Sequence, residues 1–254
     1  MMERLTAIIK EAGGMILAAD LEHADVEIKS NRGDLRTNYD TAVEEFLCRE
    51  LALVLPEAQF IGEESGLRKR EAKKDCFIVD PIDGTANFTW DYHHSAVSIA
   101  LARGEGIMAG LVYNPYLDEL FHAQAGQGAY LNGRPIQVSQ RSLRDGLVCF
   151  GTSPYDKTKA QATFSLAQLL YEKALDVRRS GSAALDLCYV ACGRCDLFYE
   201  MSLYPWDYAA AALIVTEAGG LLSTMEGEEL RFNARTTLVA GGPPAFRDFW
   251  ELAI

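Results

Sequence analysis

The sequence has no apolar run long enough to cross a membrane, no Walker A stretch, no complete G-x-G-x-x-G, no low-complexity tract, no Pro- or Ser-rich linker and no internal repeat. Without a Walker A stretch there is no sign of NTP-driven chemistry. The Gly-rich pieces GEGIMAG and GQGAYLNG lack the helix that a dinucleotide fingerprint opens. Near the N-terminus the apolar positions of LTAIIKEAGGMILAADLEHA recur at helical spacing and are broken by Lys10 and Glu11. That segment is neither a signal-peptide core nor a membrane span, and the expected location is the cytoplasm. Basic residues are few: 24 Lys and Arg stand against 36 Asp and Glu, a net charge of −12. Phosphate-backbone binding draws on Lys and Arg clusters, so neither nucleic acid nor a membrane is an expected partner. There are only four histidines, none with an acidic residue at zincin-like spacing. The six cysteines do not suggest an extracellular disulfide framework in a chain of 254 residues. Cys188, Cys192 and Cys195 include a C-x-x-C but lack a second such pair. They are read as small apolar residues on one helical face.

What is present is the composition of an ordinary globular enzyme, 49% hydrophobic and 24% charged. Periodicity predicts a helix over 3–20, an extended piece at VEIK, a helix over TAVEEFLCRELALVL (41–55), and buried strands at 58–62 and 76–80. Residues 95–138 read as an antiparallel meander with turns at Gly104-Glu105-Gly106, Asn114-Pro115 and Asn132-Gly133. The rest alternates: helices at 158–173, 183–192 and 207–218, and strands at 195–200, 221–224 and 237–241. The expected fold class is α+β or α/β, a layered sandwich. Halves 1–145 and 146–254 are joined without a linker.

Three acidic stretches interrupt this apolar pattern: FIGEES (60–65), VDPIDGTANF (79–88) and PWDYAAAALIVTEAGG (205–220). Each has a plain reading. Asp-x-x-Asp-Gly makes an ordinary turn, Glu63 and Glu64 fit a solvated loop, and Asp207 fits a helix N-cap. Together, three acidic sites at strand ends and helix starts also suit an oxygen cage for a hard divalent cation. Such a cation would relieve the repulsion between Asp80 and Asp83.

IGEES, VDPIDGTANF and YPWDYAAAALIVTEAGG, in this order, resemble the signature stretches of the inositol monophosphatase family of magnesium-dependent, lithium-sensitive phosphatases. The likeness extends to KSNRGDLRTNYD and RRSGSAALDLCYVACGRCDLFYE. It implies a sugar-phosphatase fold with alternating α-β-α-β-α layers and two to three Mg²⁺ ions. Glu63, Asp80 and the Ile82 carbonyl would hold the first ion, and Asp80, Asp83 and Asp207 the second. Glu63 with waters would hold a weaker third. It further implies that Glu63 and Thr85 position and deprotonate the attacking water, with Asp40 on Thr85 and Lys29 near the weak metal site. Asp207 would hold the water that protonates the leaving oxygen. The Gly84 and Thr85 N–H groups, at a helix start, would seat phosphate oxygens.

Substrate contacts follow from the same likeness: Glu200 for a sugar or inositol hydroxyl, and the backbone at Gly181, Ser182 and Ala183. Their plain alternatives are a strand-end surface acid and an N-cap at Ser182. Departures from the family's pattern fall at Ser182, Ala86 and Arg36, away from the implied ligands. The expected activity is hydrolysis of a small polyol or sugar phosphate, foremost myo-inositol 1-phosphate, by a homodimer. Histidinol phosphate, fructose 1,6-bisphosphate, NADP and a 3′-phosphoadenosine nucleotide are the alternatives. The reading from another class is a non-catalytic module that binds a divalent cation.

Overall fold

The computed structural model describes residues 1–29, 31–66, 70–71 and 74–252. Helix α1 (Met2–Leu17) is followed by an antiparallel ribbon of β1 (Val26–Ile28) and β2 (Leu35–Thr37), which leads straight into α2 (Asn38–Val54). Helix α1 stops three residues short of the expected end. Asp20 instead caps a short 3₁₀ turn over residues 21–23, accepting the Glu22 N–H. Helix α2 starts three residues before Thr41. The Thr37 hydroxyl accepts the N–H groups of Tyr39 and Asp40, and the Asp40 carboxylate accepts the Thr37 N–H at 2.7 Å. This is a capping box with Asp in place of the usual Glu or Gln.

The first sheet has seven strands. In it β3 (Gln59–Gly62) runs parallel to β4 (Cys76–Asp83). The short helix α3 (Thr85–Thr89) then leads to β5 (Ala96–Arg103), β6 (Gly106–Asn114), β7 (Glu119–Gln124), β8 (Ala129–Leu131) and β9 (Arg134–Ile136), all antiparallel to their neighbours. The meander is therefore present. Strand β4 continues three residues past Asp80, with a shift of register against β5 between Asp80 and Asp83. Pro81, which has no N–H to donate, lies in that irregular stretch.

The second half supplies β10 (Leu147–Phe150), α4 (Ala160–Lys173), β11 (Asp176–Arg178), α5 (Ala183–Ala191), β12 (Leu197–Leu203), α6 (Pro205–Glu217), β13 (Leu221–Ser223), β14 (Thr236–Gly241) and α7 (Pro243–Trp250). Its five strands are ordered β11-β10-β12-β14-β13. Alternate residues of each strand serve opposite faces, which sorts the core into three clusters. Phe77, Val79 and Ile99 pack under α1 and α2; Ile78, Ala100 and Phe198 pack against α5 and α6; Val148, Tyr199 and Val239 pack against α4 and α7. The layers therefore run α-β-α-β-α. Helix α6 is buried at every position from Pro205 to Val215, the apolar-all-round character of a helix between two sheets.

The cysteines differ from the one-face reading. Helix α5 ends at Ala191, so Cys195 lies beyond it, with its Sγ 2.8 Å from that of Cys149 on β10. Cys188 and Cys195 are buried, as small apolar residues would be, and Cys192 is half-buried.

Candidate active site

The end of β4, the starts of α3, α5 and α6, the turn after β3 and the end of β12 open on one cleft with a cavity of about 120 Å³. Glu63, Asp80, Ile82, Asp83, Gly84 and Thr85 form one side of its wall, and Gly181, Ser182, Ala183, Glu200 and Asp207 the other. Asp40 and Lys29 stand behind the wall. Asp40 is fully buried and lies 3.0 Å from Thr85 Oγ1, which also lies 3.1 Å from the Ile82 carbonyl oxygen. Lys29 Nζ donates to Glu63 Oε1 at 2.8 Å and to Glu64 Oε1 at 2.5 Å. Arg36 pairs with Glu27 and reaches Glu64 Oε2 at 3.4 Å. The Glu64 side chain is only 6% exposed, so the Glu63-Glu64 turn is not a solvated loop.

Backbone groups and hydroxyls hold the remaining acids. Asp80 Oδ1 accepts the Ile82 N–H at 3.0 Å, closing the turn around Pro81. Asp83 Oδ2 accepts the Ala184 N–H at 2.8 Å and the Ser182 hydroxyl, so the departure at Ser182, expected to lie away from the implied ligands, touches one of them. Ser182 is itself the N-cap of α5, accepting the Leu185 N–H, so the capping role and the cleft contact coexist. Asp207 is not an N-cap: Tyr204 precedes the helix, and Asp207, three residues on, reaches back to the Tyr204 N–H at 2.7 Å. Glu200 is 4% exposed rather than a surface acid. Its Oε1 accepts the Ser153 N–H at 2.7 Å, and Gly151 makes room for it, since a β-carbon there would stand 1.8 Å from Oε2.

Burial dominates the electrostatics. It pushes Glu63 up to about 7 against the pull of Lys29, Asp83 to about 6 against the Ser182 and Ala184 donors, and Asp40 to about 6. Asp80 and Asp207 are raised well above the carboxylate range, first by burial and then by the neighbouring acids. Lys29 is held above its usual range because Glu63 and Glu64 outweigh its burial. Among the described residues no Lys or Arg forms an ion pair with Asp80, Asp83, Asp207 or Glu200. The donor set consists of hard oxygens lacking counter-charge, which suits a divalent ion such as Mg²⁺. Among the described residues, no three His, Cys, Asp or Glu side chains already stand grouped as a ligand set.

Several cleft residues escape a sequence reading. The Tyr155 hydroxyl lies 2.7 Å from the Ser202 carbonyl oxygen and 3.1 Å from Asp207 Oδ2, and nothing in TSPYDK announces it. Asp186 lies on the cleft floor, pushed by burial to about 8, with Oδ1 unpartnered. Its signal was an acid four residues after Ser182 in an otherwise apolar helix. Glu44 is buried one turn after Asp40 on the same face of α2, but that helix also carries Glu45, Arg49 and Glu50, so the sequence does not single it out.

The layered fold and the acid-lined cleft define a class of αβ proteins whose site suits a hard cation. The chain belongs to the inositol monophosphatase family, whose model matches residues 3–249. It is 34% identical to the inositol-1-monophosphatase of Bacillus subtilis over 96% of this chain and 92% of that protein. It is 38% identical to the Nus factor SuhB of Escherichia coli K12 over 91% and 87%. The solved structure of the extragenic suppressor protein suhB from Bartonella henselae superposes with a TM-score of 0.90, at 35% identity, covering 99% of this chain and 97% of that one. Family membership supports a phosphatase of this superfamily, whose substrates are small phosphate monoesters. No helix among the described residues is long and apolar enough to cross a membrane.

Proposed function

We propose that the protein is a Mg²⁺-dependent phosphomonoesterase acting on a small polyol phosphate, foremost myo-inositol 1-phosphate. The observation that carries this reading is one cleft in which Asp80, Asp83 and Asp207, among the described residues, lack an ion-paired cationic side chain and stand beside a Thr85–Asp40 pair. A purely structural cation site needs ligands, but not a threonine held by a buried acid at its edge. Asp80, Asp83, Asp207, Glu63 and the Ile82 carbonyl would hold two to three Mg²⁺ ions. Bound there, Mg²⁺ would reverse the sign of the cleft, neutralise phosphate oxygens and favour ionisation of water.

The chain's own residues do the rest. Asp40 accepts from the Thr85 hydroxyl and so fixes its rotamer; Thr85 and Glu63 orient a water for in-line attack, and Glu63 takes its proton. Asp207 holds a water that protonates the leaving oxygen. The N–H groups of Gly84 and Thr85 receive phosphate oxygens, while Glu200 and the backbone at Gly181–Ala183 receive the polyol. Lys29 opposes the upward push of burial on Glu63 and so favours its charged form. On the same reading the working form is a lithium-sensitive cytoplasmic homodimer.

The names of the SuhB relatives favour a second reading, in which the chain serves as a Nus factor and the acidic cleft binds a cation without turnover. Inorganic phosphate release from inositol, histidinol, fructose and nucleotide phosphates, with Mg²⁺ and with a chelator, separates the two. Mg²⁺-dependent release with the highest kcat/KM on inositol 1-phosphate is the expected result. Mg²⁺ binding without release from any substrate would leave the second reading standing.

A further inference from the structure

Glu44 is a buried carboxylate that the chemistry above does not use. It lies on α2 one turn beyond Asp40, is 6% exposed and, among the described residues, makes no ion pair. Its two oxygens are committed to the turn after β3: Oε2 accepts the Glu64 N–H at 2.8 Å, and Oε1 accepts the Ser65 hydroxyl. The preceding residue, Gly62, has no side chain where one could not fit, since a β-carbon would stand 2.2 Å from Glu44 Oε2. The turn also closes on itself, with the Gly66 N–H donating to the Gly62 carbonyl at 3.0 Å, while the Glu63 N–H donates to the Val79 carbonyl at 3.2 Å. Glu63 is therefore pinned between β4 on one side and Glu44 on the other.

We propose that Glu44 is a positioning residue for Glu63: it clamps the Glu63–Ser65 turn so that the Glu63 carboxylate is presented to the cleft in register with Thr85. Because Asp40 holds Thr85 from the first turn of the same helix, α2 becomes the common support for the two groups that orient the attacking water. The catalytic part of this inference rests on the phosphatase reading; the clamp itself does not. Removing the carboxylate strands the Glu64 N–H and frees the turn. A glutamine keeps both bonds, its amide oxygen accepting the Glu64 N–H and its NH₂ donating to a rotated Ser65 hydroxyl.

The test compares Glu44→Ala, Glu44→Gln and the double variant Glu44→Ala/Gly62→Ala, whose added methyl fills the part of the vacated space next to the turn without restoring a hydrogen bond. Three readouts are taken: hydrogen exchange of the 63–66 amides, the Mg²⁺ concentration that half-saturates the rise in Tm, and phosphate release. Glu44→Ala is expected to speed exchange of the Glu64 amide at least tenfold, raise the Mg²⁺ midpoint about tenfold and lower kcat by a similar factor, roughly the effect of losing one well-placed hydrogen bond. Glu44→Gln is expected to stay within about threefold of wild type on all three, and the double variant to remain as impaired as Glu44→Ala. Recovery in the double variant would make Glu44 a space-filler and overturn the proposal, as would unchanged exchange in Glu44→Ala. Should Glu44→Ala fail to fold, Glu44→Asp, one methylene short of the turn, takes its place with the same expected losses. A wild type that neither binds Mg²⁺ nor releases phosphate would sink the functional reading, while the exchange data would still decide whether Glu44 holds the turn.

Discussion

The cleft is built by opposite means on its two sides. Asp80, Asp83, Asp207 and Glu200 sit within regular elements, each fixed by a backbone N–H, and among the described residues none of them forms an ion pair with a Lys or Arg. The Glu63-Glu64 turn belongs to no helix or strand, and Lys29 and Arg36 neutralise it internally. The first group has precise geometry and unmet charge; the second has met charge and geometry borrowed from distant residues. A site meant to gather cations benefits from this division, because the acids that need an external ion are those that cannot drift.

The largest effect that would break this contrast is on turnover. Asp83→Asn keeps an acceptor for the Ser182 and Ala184 donors but removes a charge. Mg²⁺-dependent phosphate release should fall by roughly 10³-fold or more, several kcal/mol of transition-state stabilisation. Tm in metal-free buffer should not fall and is expected to rise, since an uncompensated buried charge has gone. Unchanged Mg²⁺-dependent release would show that Asp83 is not a ligand.

A smaller effect is expected in the pH dependence of metal-free stability. Burial raises Glu200 to about 7 and Asp186 to about 8, so the folded chain binds protons that the unfolded chain, with carboxyls near about 4, has already released. Unfolding free energy should therefore decrease as pH rises from about 5 to about 8, by several kcal/mol, and denaturant titrations at fixed pH would measure it. A rising curve in that window would mean that the backbone-held acids have counter-ions after all.

The smallest effect tests the other side. Lys29→Ala removes the ammonium and leaves Glu63 and Glu64 facing each other. Metal-free stability should drop by about 1–2 kcal/mol, part way between an exposed and a buried ion pair. Mg²⁺ should restore more of the lost Tm in this variant than it adds to wild type, because the ion replaces a missing counter-charge. Equal Mg²⁺ responses would place the cation away from Glu63.

What was readable beforehand follows the same division. Strands such as β4 and the meander β5–β9 announce themselves by apolar alternation and Gly or Asn turns. The acids beside them are conspicuous because they interrupt apolar runs. Local sequence rules fail where one residue's reach overrides them. Asp207 looks like a cap from its neighbours, yet its carboxylate folds back on Tyr204. Thr37 starts α2 early because Asp40 completes its box. Cys195 leaves the helix to meet Cys149, 46 residues away in sequence. Glu44, Tyr155 and Ser153 join the cleft region through contacts 20 to 52 residues long, which no periodicity encodes.

Helix α6 has a consequence for anyone wishing to retarget this scaffold. Its thirteen residues run about 20 Å between the two sheets, and its first turn carries Asp207 into the cleft. Larger side chains along 209–212 would lever that carboxylate out of place, so redesign there would trade chemistry against packing at every step. The 151–155 segment is a better workshop: it contributes Gly151, Thr152, Pro154 and Tyr155 to the cleft wall from outside the regular elements. Libraries confined to Thr152 and Pro154 would vary the wall while leaving the space that Gly151 keeps for Glu200 and the Tyr155 contact with Asp207 intact.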